Sequence, residues 1–207
     1  TCNEIVQGDK TGDTTLLDTV KAYIKEKYQK PGEVFLGLTH RLDRPTSGIV
    51  IFARTSKALS RMNEMFRNGQ VHKTYWAITA ARPQEDEGTL DNMIYKNEKL
   101  NKSFVTLDSS LPEAKLASLD YRCIATSAGG YHLLEIELHT GRHHQIRCQL
   151  AHLGCPIKGD LKYGAPRSNP DGSISLHAYR LQFEHPVRHD FITIEAPEPW
   201  SAIFPHP

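Results

Sequence analysis

The sequence has no apolar run of about 18 residues, the length a membrane-spanning helix needs. Its 207 residues include four cysteines, and no two of them form a C-x-x-C pair. The first seven residues lack the basic and then apolar regions of a secretory signal. These absences argue against a membrane span, a disulfide framework and a zinc knuckle, and they favour a protein of the reducing cytoplasm. The cysteines are Cys2, Cys123, Cys148 and Cys155.

The near-neutral net charge conceals two basic segments. The sequence has 25 Lys and Arg residues against 24 Asp and Glu residues, which gives a net charge of +1. Seven bases lie between residues 40 and 73 against two acids, and five lie between residues 141 and 167 against one. After folding, these segments either form one surface for an anionic ligand or remain two solvated faces. Charge alone leaves both interpretations open.

The order of the predicted elements indicates the fold class. Apolar residues at helical spacing predict helices, and runs of β-branched and apolar residues predict strands. The predicted helices cover residues 13–29 (capped by Asp13 or Thr14), residues 56–67 and residues 142–153. The predicted strands cover residues 48–54, 71–80, 114–125, 131–139, 175–184 and 190–195, with a hairpin turn at residues 127–130. This order lacks regular strand–helix alternation and predicts an α+β fold with a mainly antiparallel sheet.

The first stretch that suggests chemistry is the polar loop H-R-L-D-R-P-T-S-G at residues 40–48, between two apolar segments. Asp43 is flanked there by Arg41 and Arg44, and nearby cations favour the ionised carboxylate. An ionised, partly desolvated aspartate can act as a nucleophile or as a base. A salt-bridged turn without chemistry is the alternative interpretation.

Two further stretches combine basic residues with turn residues. Residues 139–147, H-T-G-R-H-H-Q-I-R, lie at a predicted strand-to-helix junction. Helix N-termini bind anions, and arginine can grip a phosphate or pair with a carboxylate. Residues 156–164, P-I-K-G-D-L-K-Y-G, have the glycines and bases of a loop that contacts RNA backbone.

In this order, and with K-T-Y at residues 73–75 and L-H-A at residues 176–178, the motifs resemble those of the RluA-type pseudouridine synthases. The resemblance runs from about residue 32 to residue 196. It implies a pseudouridine synthase fold, which is α+β with a curved, mainly antiparallel mixed sheet flanked by helices and loops. It also implies one catalytic domain over residues 1–207.

The resemblance assigns roles to particular residues. The family's invariant aspartate falls on Asp43, its active-site tyrosine on Tyr75, and the arginine that pairs with the aspartate on Arg147. A leucine of the uracil pocket falls on Leu176, and Arg44 is the candidate for an arginine near the flipped nucleotide. The remaining residues expected to bind RNA are Arg41, Arg142, Lys158 and Lys162.

The implied reaction is the isomerisation of uridine to pseudouridine in structured RNA, either ribosomal or transfer RNA. The base must leave the RNA helix first, and Asp43 then attacks C1′, abstracts the C2′ proton, or adds to C6 of uracil. The sequence does not choose among these three roles. The reaction transfers no electrons and adds no group, so no metal or organic cofactor is expected. A monomer in the cytoplasm is expected.

Three departures from the family pattern stand out. The family usually begins with a strand that ends in K-P-x-G, and this sequence starts just after that lysine, so one strand is expected to be missing. An S4-type RNA-binding domain, which many relatives carry, is not found. Cys148 and Gln149 occupy positions that are often Val and His in relatives, with little expected effect on the reaction.

Two alternative functions fit the sequence less well. A metal-dependent hydrolase would use His143, His144, His152 and Asp160, but His144 and His152 are two helical turns apart and no H-E-x-x-H pattern occurs. A non-catalytic RNA-binding module would not need Asp43, Tyr75 and Arg147 together. Residues expected to have ordinary structural or surface roles are Met62, Met65, His72, Trp76, Phe104 and His185.

Overall fold

The computed structural model describes residue 6, residues 14–108 and residues 110–204. The helices are α1 (Leu16–Lys27), α2 (Ser56–Arg67) and α3 (Gln145–His152), with one 3-10 turn at Leu161–Tyr163. The strands are β1 (Gly37–Leu38), β2 (Ser47–Gly48), β3 (Phe52–Ala53), β4 (His72–Thr79), β5 (Glu87–Asn97), β6 (Lys102–Thr106), β7 (Lys115–Thr126), β8 (His132–Leu138), β9 (Leu176–Glu184) and β10 (Phe191–Glu195).

One large sheet organises the described residues. Its strands run in the order β10-β9-β4-β8-β7-β5-β6, and each neighbouring pair is antiparallel. Strand β2 pairs in parallel with the start of β9, which makes the sheet mixed. Strands β1 and β3 form a separate two-stranded ribbon. The predicted α+β class and mainly antiparallel mixed sheet are confirmed.

Helix α3 packs on the centre of this sheet. Ile146 and Leu150 of α3 join a buried cluster with Ala77 of β4, Leu119 of β7 and Ile136 of β8. Burial of each such aliphatic side chain contributes about 1.5–3 kcal/mol to stability. This packing fixes the N-terminal end of α3 against strands β4 and β8, where the candidate site lies.

The predicted strand at residues 48–54 is wrong, because the chain changes partners within it. Ser47 and Gly48 pair with β9, whereas Phe52 and Ala53 pair with β1. Gly48 has φ of 122°, and a Cβ atom there would lie 2.3 Å from the carbonyl oxygen of Ala178. Only glycine permits this backbone angle and this close approach.

The third predicted helix begins later than expected. His144 has φ of 50° and ψ of 28°, in the left-handed region, so the right-handed helix can start only at Gln145. Gln145 then secures the junction, because its side-chain oxygen accepts from the Arg142 N–H at 3.0 Å. Its side-chain amide donates to the Ser118 carbonyl of β7 at 3.0 Å.

The β5–β6 hairpin was not predicted. Its strands are mostly half-exposed, and a run of charged and amide residues around the turn hides the alternation in the sequence.

Helix α1 also starts later than predicted. Thr15 caps it in place of Thr14, since its hydroxyl accepts from the Asp18 N–H at 3.1 Å. The other predicted cap, Asp13, lies outside the described residues.

Several expectations about individual side chains are confirmed. Met62 and Met65 are buried against β9 residues, and Trp76 is buried and stacks on Tyr179 with ring centroids 3.9 Å apart. Phe104 lies on the face of the β5–β6 hairpin beside Tyr95. In the described ranges, no helix is long and apolar enough to cross a membrane.

Candidate active site

A cleft of about 850 Å³ opens over the sheet, and four of the segments that line it carry the candidate residues. These segments are the loop before β2, strand β4, the junction between β8 and α3, and the start of β9. Asp43, Tyr75, Arg147 and Leu176, which the sequence resemblance grouped by role, all line this cleft. They are separated by up to 133 positions in the chain, so their meeting is a result of the fold.

Asp43 lies in a tight turn at the edge of the cleft. The Thr46 N–H donates to the Asp43 carbonyl oxygen at 2.9 Å, and the Ile174 N–H donates to the Pro45 carbonyl oxygen at 3.0 Å. These bonds and the β2–β9 pairing hold the loop against the sheet. The Asp43 side chain keeps 30% of its surface exposed. Its carboxylate is therefore fixed in place but accessible from the cleft.

Arg147 lies in the first turn of α3 and holds two carboxylates with its buried guanidinium. Its Nη1 atom donates to Asp43 Oδ2 at 3.1 Å. Its Nε and Nη2 atoms donate to the two oxygens of the buried Asp160, at 2.7 and 2.9 Å. Burial alone would lower the pKa of Arg147, but the hydrogen bonds and charge of Asp160, together with the charge of Asp43, raise it. The guanidinium stays charged and oriented.

Tyr75 forms part of the cleft wall from β4. The register of the β4–β9 pair shifts beside it, because Thr74 pairs with Arg180 whereas Tyr75 pairs with Ala178. Burial and the charge of Asp43 raise the pKa of Tyr75 above its ordinary range. The phenol therefore remains protonated and offers a flat apolar face with one polar end.

Two stacked histidines lie beside Asp43. The rings of His143 and His144 stack with centroids 3.8 Å apart and an angle of 22° between their planes. His144 Nε2 lies 3.6 Å from Asp43 Oδ2, and His144 Nδ1 lies 3.0 Å from the Tyr163 hydroxyl. Burial, followed by the charge of Arg147, lowers the pKa of His144 to about 2. His144 is neutral at physiological pH.

Several basic residues of the cleft were not among the predicted site residues, and His40 and Lys73 are two of them. His40 accepts the Ile51 N–H on Nε2 at 3.0 Å, and burial followed by the charge of Lys73 lowers the pKa of His40 to about 4. Burial lowers the pKa of Lys73, which forms no ion pair with any carboxylate of the described residues. The K-T-Y motif was the sequence signal for Lys73, but it was used only to locate Tyr75.

The predicted RNA-binding residues do not all reach the cleft. Arg41 and Arg142 line it, while the other three lie outside its lining. Lys158 donates to the Asn169 side-chain oxygen at 2.7 Å, and Lys162 donates to the Asn101 carbonyl oxygen at 3.1 Å. Arg44 is exposed on the loop that carries Asp43.

The alternative metal site does not form. Asp160, one of its four proposed ligands, is engaged by Arg147, and His152 is exposed at the end of α3. No three His, Cys, Asp or Glu side chains in the described part of the chain are grouped so that they could hold a metal ion.

The fold resembles that of a solved human pseudouridylate synthase domain. The structure of human RNA Pseudouridylate Synthase Domain Containing 4 matches 97% of this chain and 84% of that chain, with a TM-score of 0.78 and 26% sequence identity. A family model described as RNA pseudouridylate synthase matches residues 3–152. The chain belongs to the RNA pseudouridylate synthase family, and the resemblance to RluA-type enzymes is confirmed.

Bacterial relatives carry related names. An uncharacterized RNA pseudouridine synthase of Chloroflexus aurantiacus is 39% identical over 171 residues, which are 81% of this chain and 52% of the relative. The tRNA pseudouridine synthase C of Vibrio parahaemolyticus is 32% identical over 80% of this chain and 74% of the relative. The ribosomal large subunit pseudouridine synthase C of Rickettsia prowazekii is 33% identical over 79% of this chain and 54% of the relative. The chain spans about half the length of the first and third of these relatives.

Proposed function

We propose that this protein isomerises specific uridines in structured RNA to pseudouridine, with Asp43 as the catalytic carboxylate. The observation that carries the proposal is the accessible Asp43 carboxylate, held by a buried arginine in a cleft large enough for a nucleoside. Membership of the RNA pseudouridylate synthase family supports the same reaction. Related names in bacteria support ribosomal or transfer RNA as the substrate.

The proposed chemistry needs a nucleotide outside the RNA helix. Inside a duplex, C1′ and the uracil ring are covered by stacking, so the target uridine is flipped into the cleft. The N1–C1′ bond then breaks, the base turns, and a C5–C1′ bond forms. C5 loses its proton and N1 gains one, so the overall change is an isomerisation. Asp43 acts by attack on C1′, by abstraction of the C2′ proton or by addition to C6.

Other residues of the cleft have supporting roles in this proposal. Tyr75 stacks on the uracil and carries a phenol near the site of proton transfer, and Leu176 packs against the base. Arg147 keeps Asp43 charged and oriented, because an ionised carboxylate near apolar surface needs a compensating cation.

RNA backbone contacts lie at the cleft rim and beyond it in this proposal. Arg41 and Arg142 bind phosphates beside the flipped nucleotide, and Arg44, Lys158 and Lys162 bind phosphates farther away. Such contacts position an RNA without reading its sequence. The protein is proposed to act as a cytoplasmic monomer, with residues 1–207 as one catalytic domain.

The proposal is tested by mapping pseudouridine in ribosomal and transfer RNA of the parent strain and of a strain that lacks the gene. We expect one or a few pseudouridines to disappear in the deletion strain. The wild-type gene should restore them, and the Asp43→Asn gene should not. A deletion strain with an unchanged pseudouridine map would refute the proposal.

A non-catalytic RNA-binding function is the second candidate, and the same strains separate it from the first. If Asp43→Asn restores every missing pseudouridine, the protein assists another enzyme and the carboxylate has no chemical role. Purified wild-type and Asp43→Asn proteins should bind the target RNA with similar affinity in either case.

A further inference from the structure

His144 faces the Asp43 carboxylate from the residue that precedes α3. Its side chain is only 7% exposed, and it lines the cleft. Its Nε2 atom lies 3.6 Å from Asp43 Oδ2, the same oxygen that accepts from Arg147. The left-handed backbone of His144, uncommon for a residue with a Cβ atom, gives the ring this direction.

The neighbours of His144 determine which ring nitrogen carries the proton. The buried Ser103 N–H donates to the Tyr163 hydroxyl oxygen at 2.8 Å. The Tyr163 hydroxyl has one proton of its own, and His144 Nδ1, at 3.0 Å, is the acceptor that the described residues offer to it. His144 Nδ1 is therefore an acceptor. Because burial keeps the ring neutral, its single N–H is on Nε2 and points toward Asp43.

His143, which stacks on His144, carries its proton on the other ring nitrogen, Nδ1. The Ser103 hydroxyl donates to the His143 carbonyl oxygen at 2.6 Å, so its oxygen accepts from His143 Nδ1–H at 2.9 Å. Ser103 therefore sets both tautomers, His143 through its side chain and His144 through its N–H and Tyr163. The contrast predicts distinct ring signals for adjacent histidines.

The two oxygens of the Asp43 carboxylate have different neighbours. Oδ2 receives the Arg147 guanidinium and faces the His144 Nε2–H, whereas no described residue donates a hydrogen bond to Oδ1. The hydrogen bond from Arg147 and the nearby N–H dipole of His144, which at 3.6 Å is too distant for a hydrogen bond, favour the same orientation of the carboxylate. They leave the other oxygen for the nucleoside.

We propose that His144 is a positioning residue, a neutral ring whose Nε2–H dipole, together with the hydrogen bond from Arg147, turns Oδ1 of Asp43 toward the flipped nucleoside. This inference rests on the proposed function and adds a residue to its machinery. Tyr163 and Ser103 act through His144, because they fix its tautomer. His144 does not itself exchange a proton with the substrate.

Kinetics of matched variants test the role of the donor. His144→Phe keeps a flat ring without a donor, whereas His144→Gln places an amide N–H near the position of Nε2. We expect His144→Phe to lower kcat about 10- to 100-fold with KM changed less than about threefold, and His144→Gln to recover most of the loss. His152→Gln, the same change at an exposed position of α3, should behave as the wild type.

Two kinetic results would overturn the inference. One is a folded His144→Phe protein with the kcat of the wild type. The other is a His144→Gln protein as slow as His144→Phe, since the ring and not its donor would then matter. Thermal unfolding of each variant shows whether its loss of activity accompanies a loss of fold.

Nitrogen-15 NMR of the imidazole rings tests the tautomer without any need for activity. We expect His144 as the Nε2–H form and His143 as the Nδ1–H form in the wild type, and a shift of His144 toward the Nδ1–H form in Tyr163→Phe. An Nδ1–H form of His144 in the wild type would overturn the inference. If the wild type modifies no RNA at all, the proposed function fails, and the tautomer measurement still decides whether the donor faces Asp43.

Discussion

The two carboxylates bound by Arg147 share a partner and differ in their surroundings. Asp160 has a side chain that is 1% exposed, and it accepts two hydrogen bonds from the guanidinium, at 2.7 and 2.9 Å. Asp43 is 30% exposed and accepts one, at 3.1 Å. The side of Arg147 that faces Asp160 is therefore sealed from solvent, and the side that faces Asp43 opens into the cleft.

This difference separates a structural carboxylate from a reactive one. A buried guanidinium is costly without a partner, and Asp160 compensates its charge completely within the protein. Both oxygens of Asp160 are bound by the arginine and buried, so no ligand in the cleft reaches them. Because Asp160 already stabilises the charge of Arg147, the second oxygen of Asp43 can contact a nucleoside. Substitutions of each carboxylate test this division of roles.

The largest expected effect is on kcat, and it follows from changing Asp43, the carboxylate that faces the cleft. Asp43→Asn should lower kcat at least about 10³-fold, because a neutral amide can neither attack a carbon nor take a proton. The free energy of unfolding should change by less than about 1 kcal/mol, since Asp160 still pairs with Arg147. Single-turnover assays and urea unfolding measure the two quantities. A large loss of stability with little loss of rate would reverse the assignment.

On the sealed side, Asp160→Asn should destabilise the protein by about 3–5 kcal/mol, because it leaves a buried cation without its main partner. Urea unfolding at neutral pH measures the change. Asp86→Asn is the matched control, since Asp86 pairs with Arg82 on the surface, and exposed pairs contribute about 0–1 kcal/mol. Equal effects of the two variants would show that burial of Asp160 has no energetic consequence.

His40 resembles Asp160 in that its partner lies inside the protein, because its Nε2 accepts the Ile51 N–H. Its pKa is about 4 in the fold and about 6.5 in an unfolded chain, so the unfolded state binds more protons between these values. Stability from His40 is complete above about pH 6.5 and is lost as the pH falls toward 4.

His40→Gln should remove this part of the pH dependence, because a glutamine oxygen can accept the Ile51 N–H and does not titrate. Urea unfolding at pH 7 and pH 5 is expected to show a drop that is smaller by about 1–2 kcal/mol in the variant than in the wild type. The same drop in both proteins would show that His40 is not held neutral.

The smallest expected effect is on RNA binding and comes from Lys73, which faces the open cleft. It lines the cleft without an ion pair in the described ranges, so a phosphate is its expected partner. Lys73→Met should weaken RNA binding about 3- to 10-fold and reduce the slope of log affinity against log salt by about one. Lys25→Met, in α1 and outside the cleft lining, is the control. An unchanged salt slope in Lys73→Met would exclude the phosphate contact.

Sequence reasoning predicted elements with strong local patterns and failed where the pattern was weak. Strands β4, β7, β8, β9 and β10 were located to within about two residues. Their apolar residues alternate or run together, and the sheet buries many of them in every one of these strands except the mostly exposed β10. The β5–β6 hairpin was missed, because its residues are mostly half-exposed and carry little apolar pattern. The strand at residues 48–54 was misjudged because a change of strand partner leaves no local signal.

The site was predicted to a similar degree. The resemblance placed Asp43, Tyr75, Arg147 and Leu176 in one cleft, and the structure brings these four residues together. It gave no reason to connect Asp160 with Arg147, and Asp160 was considered only as a metal ligand. Tyr163 and Ser103 were not considered for the site. Their contacts depend on atoms brought together from residues 40 to 60 positions apart.

The sequence by itself determined the types of residue available, the α+β order of elements and the family, because these depend on local patterns and motifs. Only the tertiary structure decided which of two aspartates is sealed, which donors face Asp43 and which nitrogen of His144 carries its proton. Burial and hydrogen-bond partners set these properties. Both arise from contacts between segments that lie from 13 positions apart, as for Arg147 and Asp160, to 104 positions apart, as for Asp43 and Arg147.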